Sequence, residues 1–282
     1  NFTFLGVRDY VFQPRADGGE LQRADVEGLG VLSDPNVRVL RRGTEFVTST
    51  PEMTQFLMSS APLIVMKANV RSRVHRRVHM DYVGVKLFDD TGKLVGERRF
   101  LGLFTSTAYT RSTKTIPYLR RKVDRAIERA GFDPAGHSGK TLLNVLESYP
   151  RDELFQVDEA TLDDFALQIL ALDEHPRVRV LARRDPFDRF VSILVFVPRE
   201  RYSTDIRVKM GDLFARVYDG RVSAWYPAFL EGALTRVHFV IGRYSGATPN
   251  PSQEELEAAV SALVRSFDDS LAEALGQSMA AD

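Results

Sequence analysis

The chain has 282 residues, 44% apolar and 27% charged, with 38 basic side chains against 38 acidic ones and no cysteine. That length suits about two domains. The balanced charge argues against a general nucleic-acid binder, and the missing cysteines remove disulfides, thiolate catalysis and cysteine metal sites together. No apolar run approaches the ~20 residues that span a bilayer, and the whole reads as a cytoplasmic protein without a membrane partner.

The first residues, Asn1 to Tyr10, lack Met and signal-peptide character and begin at once in strand-like alternation, so a boundary inside a longer protein is expected. Phe2 to Phe12 reads as one strand, with short ones at Leu29–Leu32 and Val37–Leu40. Pro51–Met58 reads as a helix capped by Thr50. Leu63–Met66 reads as a buried strand. Met80–Phe88 and Leu94–Phe104 form a hairpin across Asp89-Asp90-Thr91-Gly92. The period then becomes helical: Ile116–Ala130 ends at Gly131, Ser138 caps a helix carrying Leu142 and Leu146 that Pro150 stops, and Asp158–Leu172 follows. Strands return at 177–184, 189–197, 221–229 and 234–242, with helices at Thr204–Tyr218 and Gln253–Leu275. The order ββαββα is a cyclic shift of the ferredoxin-like pattern. The fold class is therefore α+β: an antiparallel-sheet module over 1–111, a helical connector over 112–175 and a second antiparallel-sheet module over 176–282.

Several motifs fail on context. Gly139-Lys140-Thr141 has the tail of a phosphate loop, but Pro134 stands where its first Gly belongs and a helix precedes it. Gly28-Leu29-Gly30 lacks the third Gly of a dinucleotide fingerprint and runs into the turn at Asp34-Pro35. His75 and His79 have zinc-helix spacing, yet Arg76 and Arg77 lie between them and the segment is extended. Arg71, Arg73, Arg76 and Arg77 read as a solvated face or a subunit contact. No Gly-x-Ser-x-Gly elbow appears, and Asp163-Asp164 and Asp268-Asp269 fall on solvent faces of helices. No catalytic, cofactor-binding or metal residue is assigned.

One junction carries recognition chemistry. After the apolar strand comes Pro198-Arg199-Glu200-Arg201-Tyr202-Ser203-Thr204, with Ser203 or Thr204 as helix cap. A helix start offers free amides and partial positive charge to a carboxylate, and Arg199 and Arg201 add charged donors. Arg199, Arg201, Tyr202, Ser203 and Thr204 are thus the candidate effector-binding residues. The bland reading is an ordinary cap with surface arginines.

Longer runs resemble one family. Phe2-Thr3-Phe4-Leu5-Gly6-Val7-Arg8-Asp9-Tyr10, Asp81-Tyr82-Val83-Gly84-Val85-Lys86, the stretch Gly96 to Thr105, the stretch Leu146 to Gln156 and the stretch Pro176 to Thr204 are similar to the N-terminal region of the large bacterial NAD-specific glutamate dehydrogenases. The resemblance implies small sensor modules ahead of a dehydrogenase domain, PAS-like or ACT-like for 1–111 and a permuted ACT-like one for 176–282. The catalytic lysines, the Gly-rich glutamate-binding segment and the nicotinamide fold of such enzymes have no counterpart here. NAD would belong to the parent enzyme, which deaminates glutamate oxidatively to 2-oxoglutarate and ammonia, while this piece alone is predicted inactive. The partners implied are the catalytic domain of the same chain, further copies in a homo-oligomer and an amino-acid effector. The rival reading is a structural assembly module without a ligand; a complete enzyme would need a cofactor site that the sequence does not offer.

Overall fold

The computed structural model describes residues 1–14, 20–37, 39, 41–42, 45–46, 61–74, 77–244 and 246–265. It falls into two compact units that divide between Leu167 and Gln168.

The first unit opens with an antiparallel sheet. Its strands are β1 (Phe2–Gln13), β2 (Glu20–Arg23), β3 (Leu29–Gly30), β6 (Leu63–Arg71), β7 (His79–Phe88) and β8 (Leu94–Phe104), while β4 (Arg41–Arg42) and β5 (Glu45–Phe46) pair separately. The order is β2-β1-β8-β7-β6, with β3 added on β1, so the first strand lies beside the last. The β7–β8 hairpin closes as its sequence requires. Asp89 Oδ1 accepts from the amides of Thr91 and Lys93, both at 2.9 Å, and Gly92 takes φ 80°. Ile64, Met66, Tyr82 and Leu101 are buried on one face.

Helices follow: α1 (Ser106–Thr110), α2 (Pro117–Ala130), α3 (His137–Ser148), α4 (Arg151–Gln156) and α5 (Glu159–Glu174), the last crossing the division between the units. Gly131, at φ 70°, ends α2 in the left-handed conformation that a residue without Cβ adopts at least cost. The α2 face of Leu119, Val123 and Ala126 is buried. Its Lys122 donates to the carbonyls of Leu154 (3.0 Å) and Val157 (2.7 Å), serving the open C-terminal end of α4.

The second unit contains β9 (Arg179–Arg184), β10 (Phe190–Pro198), α6 (Thr204–Val217), β11 (Gly220–Phe229), β12 (Leu234–Arg243) and α7 (Gln253–Val264). The sheet order is β11-β12-β10-β9, all antiparallel. The strands joined through α6, β10 and β11, therefore flank β12, as a ferredoxin-like crossover requires, and the chain simply starts at a different strand. Val191, Ile193, Val195 and Val197 of β10 pack with Phe239 of β12 against Met210 and Phe214 of α6 and Leu256 of α7. Leu194 and Phe196 on the other face of β10 are buried too, which is why this strand reads as a continuous apolar run.

Five expectations change. Leu29–Leu32 is strand only to Gly30, whose φ of 63° turns the chain. Val37 and Val39 lie outside any strand, although the Val39 carbonyl accepts from Asn69 N at 2.9 Å. Ser138 does not cap α3: the helix starts at His137 after Gly136, because Lys140 N already donates to Gly136 O. Pro150 stops α3 but also opens α4, since a residue without N–H costs nothing at a helix start. The sequence puts Leu162, Phe165, Ile169 and Leu170 on the inner face of α5, whereas the structure buries Leu162, Phe165 and Ala166 and leaves Ile169 and Leu170 half-buried. The helix expected at Pro51–Met58, His75, Arg76, Leu40 and the end of the last helix beyond Arg265 lie outside the described residues.

Candidate functional site

Strand β10 runs through Pro198 into a 3-10 turn at Arg199–Arg201, and Ser203 opens α6. Ser203 Oγ accepts from Ile206 N at 3.2 Å, so Ser203 rather than Thr204 is the cap. The backbone amide of Arg199 donates to Ala233 O at 2.8 Å and its guanidinium to Leu230 O, both carbonyls in the β11–β12 connection. Arg201 lies 3.9 Å from Glu200, and Tyr202 meets Phe229 edge-on with ring centroids 5.7 Å apart. The five residues named from sequence are thus gathered within one short stretch. Asp205, in the first turn of α6 and 2.8 Å from Lys209, already sets a carboxylate near that helix start.

One turn further along, a hollow of about 490 Å3 opens between α6 and β11. Its floor is Gly211, Val222 and Phe239; Arg207, Asp212, Ser223 and Trp225 stand around the rim. A glycine inside a helix costs ~1 kcal/mol against alanine, and here the close approach of strand to helix accounts for it. A Cβ at position 211 would stand 3.1 Å from Val222 Cγ2 and 3.5 Å from Phe239 Cε1. Ser223 is the extra residue where the β11–β12 register shifts between Val222 and Ala224, a bulge that re-aims its side chain. The Arg207 guanidinium lies 3.8 Å from the Trp225 ring centroid, a stacked arrangement that leaves its edge donors open.

The first unit holds two polar clusters of another kind. Lys67 Nζ reaches Asp81 at 2.6 Å, Asp152 at 2.9 Å and the Tyr109 hydroxyl at 3.2 Å, while Tyr109 donates to Asp152 and Phe104 N donates to Asp81. Burial disfavours the ammonium, but Asp152 and Asp81 together outweigh it and hold its pKa above the ordinary lysine value. These contacts tie α1 and α4 to the sheet. Further along the sheet, burial raises the Glu97 pKa against the pull of Arg99, 3.2 Å away, and lowers that of Lys86 to about 8. Among the described residues no group of three or more metal-ligating side chains occurs; His79 Nδ1 stands 3.0 Å from Ala68 O and its Nε2 accepts from Arg71.

Comparison with known proteins bears directly on these units. A family model described as glutamate dehydrogenase, helical motif 1, matches residues 116–175, and one described as glutamate dehydrogenase, ACT2 domain, matches residues 179–268. An NAD-specific glutamate dehydrogenase of Halomonas elongata is 39% identical over 277 residues, 96% of this chain and 17% of that protein. One from Pseudomonas aeruginosa is 34% identical over 292 aligned positions, 100% of this chain and 18% of that protein. The chain belongs to the NAD-specific glutamate dehydrogenase family. It spans less than a fifth of the length of these relatives, and of that from Mycobacterium tuberculosis, 31% identical over 241 residues. In this family the ACT2 match contains both the β10–α6 junction and the hollow, whereas the helical-motif match contains α2 to α5.

Sequence reasoning singles out the junction and misses the hollow beside it. Arg207 and Asp212 are five apart on a helix, a spacing that signals nothing without the strand packed against them. The available hints are Gly211 inside an otherwise apolar helical pattern and the chain's one tryptophan, Trp225.

Proposed function

We propose that this chain is a non-catalytic, N-terminal regulatory region of an NAD-dependent glutamate dehydrogenase. The parent enzyme would deaminate glutamate oxidatively to 2-oxoglutarate and ammonia, with NAD held in a separate catalytic domain of the same chain. The region works in the cytoplasm within a homo-oligomer, its 1–111 part PAS-like or ACT-like, 112–175 a helical connector and 176–282 ACT-like. The observation that carries the reading is the β11-β12-β10-β9 order with α6 and α7 on one face, lying within the ACT2 match. The strand order β2-β1-β8-β7-β6 supports the PAS-like reading of the first part. An amino-acid effector binds at the start of α6 through Arg199, Arg201, Tyr202, Ser203 and Thr204, and acts by favouring one of two conformational states.

A thermal-shift screen of this chain against the twenty amino acids, NAD and adenine nucleotides tests it. A one-site ligand at 100 times its Kd stabilises by about 2.7 kcal/mol. A shift with an amino acid that Arg199→Ala/Arg201→Ala abolishes supports this site; binding that survives the double change refutes it.

A second reading, a subunit-assembly module without a ligand, draws on β11. Trp225, Tyr226 and Phe229 are 41%, 57% and 64% exposed on an edge strand. Pro227 in the same strand lacks an N–H and limits direct strand pairing, so any such contact would be made through side chains. A flat ligand screen together with a concentration-dependent oligomer that Phe229→Ser disperses would favour it.

A further inference from the structure

The geometry points to the hollow between α6 and β11 as a binding site for an α-amino acid with an apolar side chain, Arg207 taking its carboxylate, Asp212 its ammonium and the Gly211–Val222–Phe239 floor its side chain. This deepens the amino-acid effector reading given above and rests on it, with the hollow as a second candidate location one helical turn from the junction.

Four observations converge. The hollow's volume, about 490 Å3, lies within the ~300–1,000 Å3 of small-molecule sites. Its floor is apolar and exists because position 211 has no side chain. Its rim carries one cation and one anion, and among the described residues neither Arg207 nor Asp212 has an ion-pair partner, although both lie at the same opening. Finally, the Arg207 guanidinium is stacked on Trp225, which fixes its plane while leaving its edge donors to meet a carboxylate as a fork. A molecule with a carboxylate and an ammonium on one carbon and an apolar group beyond it matches that set. A plain carboxylic acid would leave Asp212 unanswered, a plain amine Arg207.

Isothermal titration calorimetry on the 282-residue chain tests this site, with leucine, valine, methionine and phenylalanine as probes and 4-methylpentanoate and 3-methylbutylamine as leucine lacking one head group. At least one amino acid is expected to bind, with each truncated analogue at least tenfold weaker. Arg207→Ala and Asp212→Asn should each weaken binding at least tenfold. Gly211→Leu, which fills the floor, should abolish it. Because that variant is also the one most exposed to misfolding, the two rim variants are decisive, with circular dichroism to confirm that they fold. Binding unchanged in both rim variants overturns the hollow. Binding lost in Arg199→Ala/Arg201→Ala but kept in the rim variants also overturns it while preserving the effector reading. If none of the four amino-acid probes binds, the hollow is overturned; if none of the twenty in the thermal-shift screen binds, the effector reading fails as well.

Discussion

Asp185 offers the sharpest test of how the second unit is held together. The β9–β10 turn, Asp185-Pro186-Phe187-Asp188, folds around this one carboxylate. Its Oδ2 accepts from Arg189 Nε at 2.7 Å and from the backbone amides of Phe187 and Arg189 at 3.2 Å, and its Oδ1 accepts from the Arg189 guanidinium at 2.9 Å. Both side chains are nearly water-free, 1% exposed for Asp185 and 5% for Arg189. Asp185→Ala therefore strips a buried cation of its carboxylate and leaves two turn amides without their acceptor. Removing one partner of such a pair costs about 3–5 kcal/mol. Arg189→Met removes the cation instead but leaves Asp185 both backbone donors, so its cost should be smaller, about 2–3 kcal/mol. Urea unfolding followed by circular dichroism measures both. With an m value of about 2 kcal/mol/M, Asp185→Ala should lower the midpoint by about 2 M and Arg189→Met by roughly half as much. The reasoning is refuted if Asp185→Ala costs under about 1 kcal/mol, or if the order of the two variants reverses.

Ser203→Ala should cost about 1 kcal/mol by freeing the Ile206 amide, with Ser203→Asp restoring most of it in the same unfolding assay. Gly84→Ala should destabilise by about 1–3 kcal/mol, since a Cβ there would stand 2.1 Å from Glu97 Oε1 and 2.8 Å from the Tyr82 hydroxyl; a gain in Tm would contradict the packing. Burial lowers the Lys86 pKa from 10.5 to about 8, so between those values the unfolded chain binds the proton that the folded one has lost. Stability contributed by this group must then rise with pH across that window, so the stability difference between wild type and Lys86→Met in urea titrations should shift in favour of wild type from about pH 7.5 to about pH 10.

The ββαββα order is legible in the sequence because each of its elements is bounded by chemistry that leaves little choice. Asp185-Pro186 and Pro198 fence the apolar run of β10, Ser203 can cap α6, and Ser252 with Glu255 forms a capping box for α7. The helix starts that mislead are those without a side-chain cap. Gly136 opens α3 and Pro150 opens α4 with no side-chain hydrogen bond, so local sequence marks neither, and tertiary partners decide. One such partner is Glu147 of α3, which accepts from Ser112 at 2.6 Å and from Thr113, residues some thirty positions away that no local window contains.

The same distinction separates the two candidate binding regions. The β10–α6 junction is readable because a strand end, two arginines and a cap are contiguous, and contiguity is what a sequence displays. Yet the structure commits part of that chemistry internally, with Ser203 Oγ on Ile206 N, Arg199 on Leu230 O and Tyr202 against Phe229. The hollow inverts this: Arg207 and Asp212 lie on α6, Ser223 and Trp225 on β11 and Phe239 on β12, and only the sheet register brings them together. Groups already satisfied within the fold have little binding free energy left to offer a ligand, whereas opposite charges left unpaired over an apolar floor gain most when a complementary molecule arrives. On that physical ground the hollow is a candidate in its own right, and Arg207→Ala set against Arg199→Ala/Arg201→Ala is the comparison that separates the two.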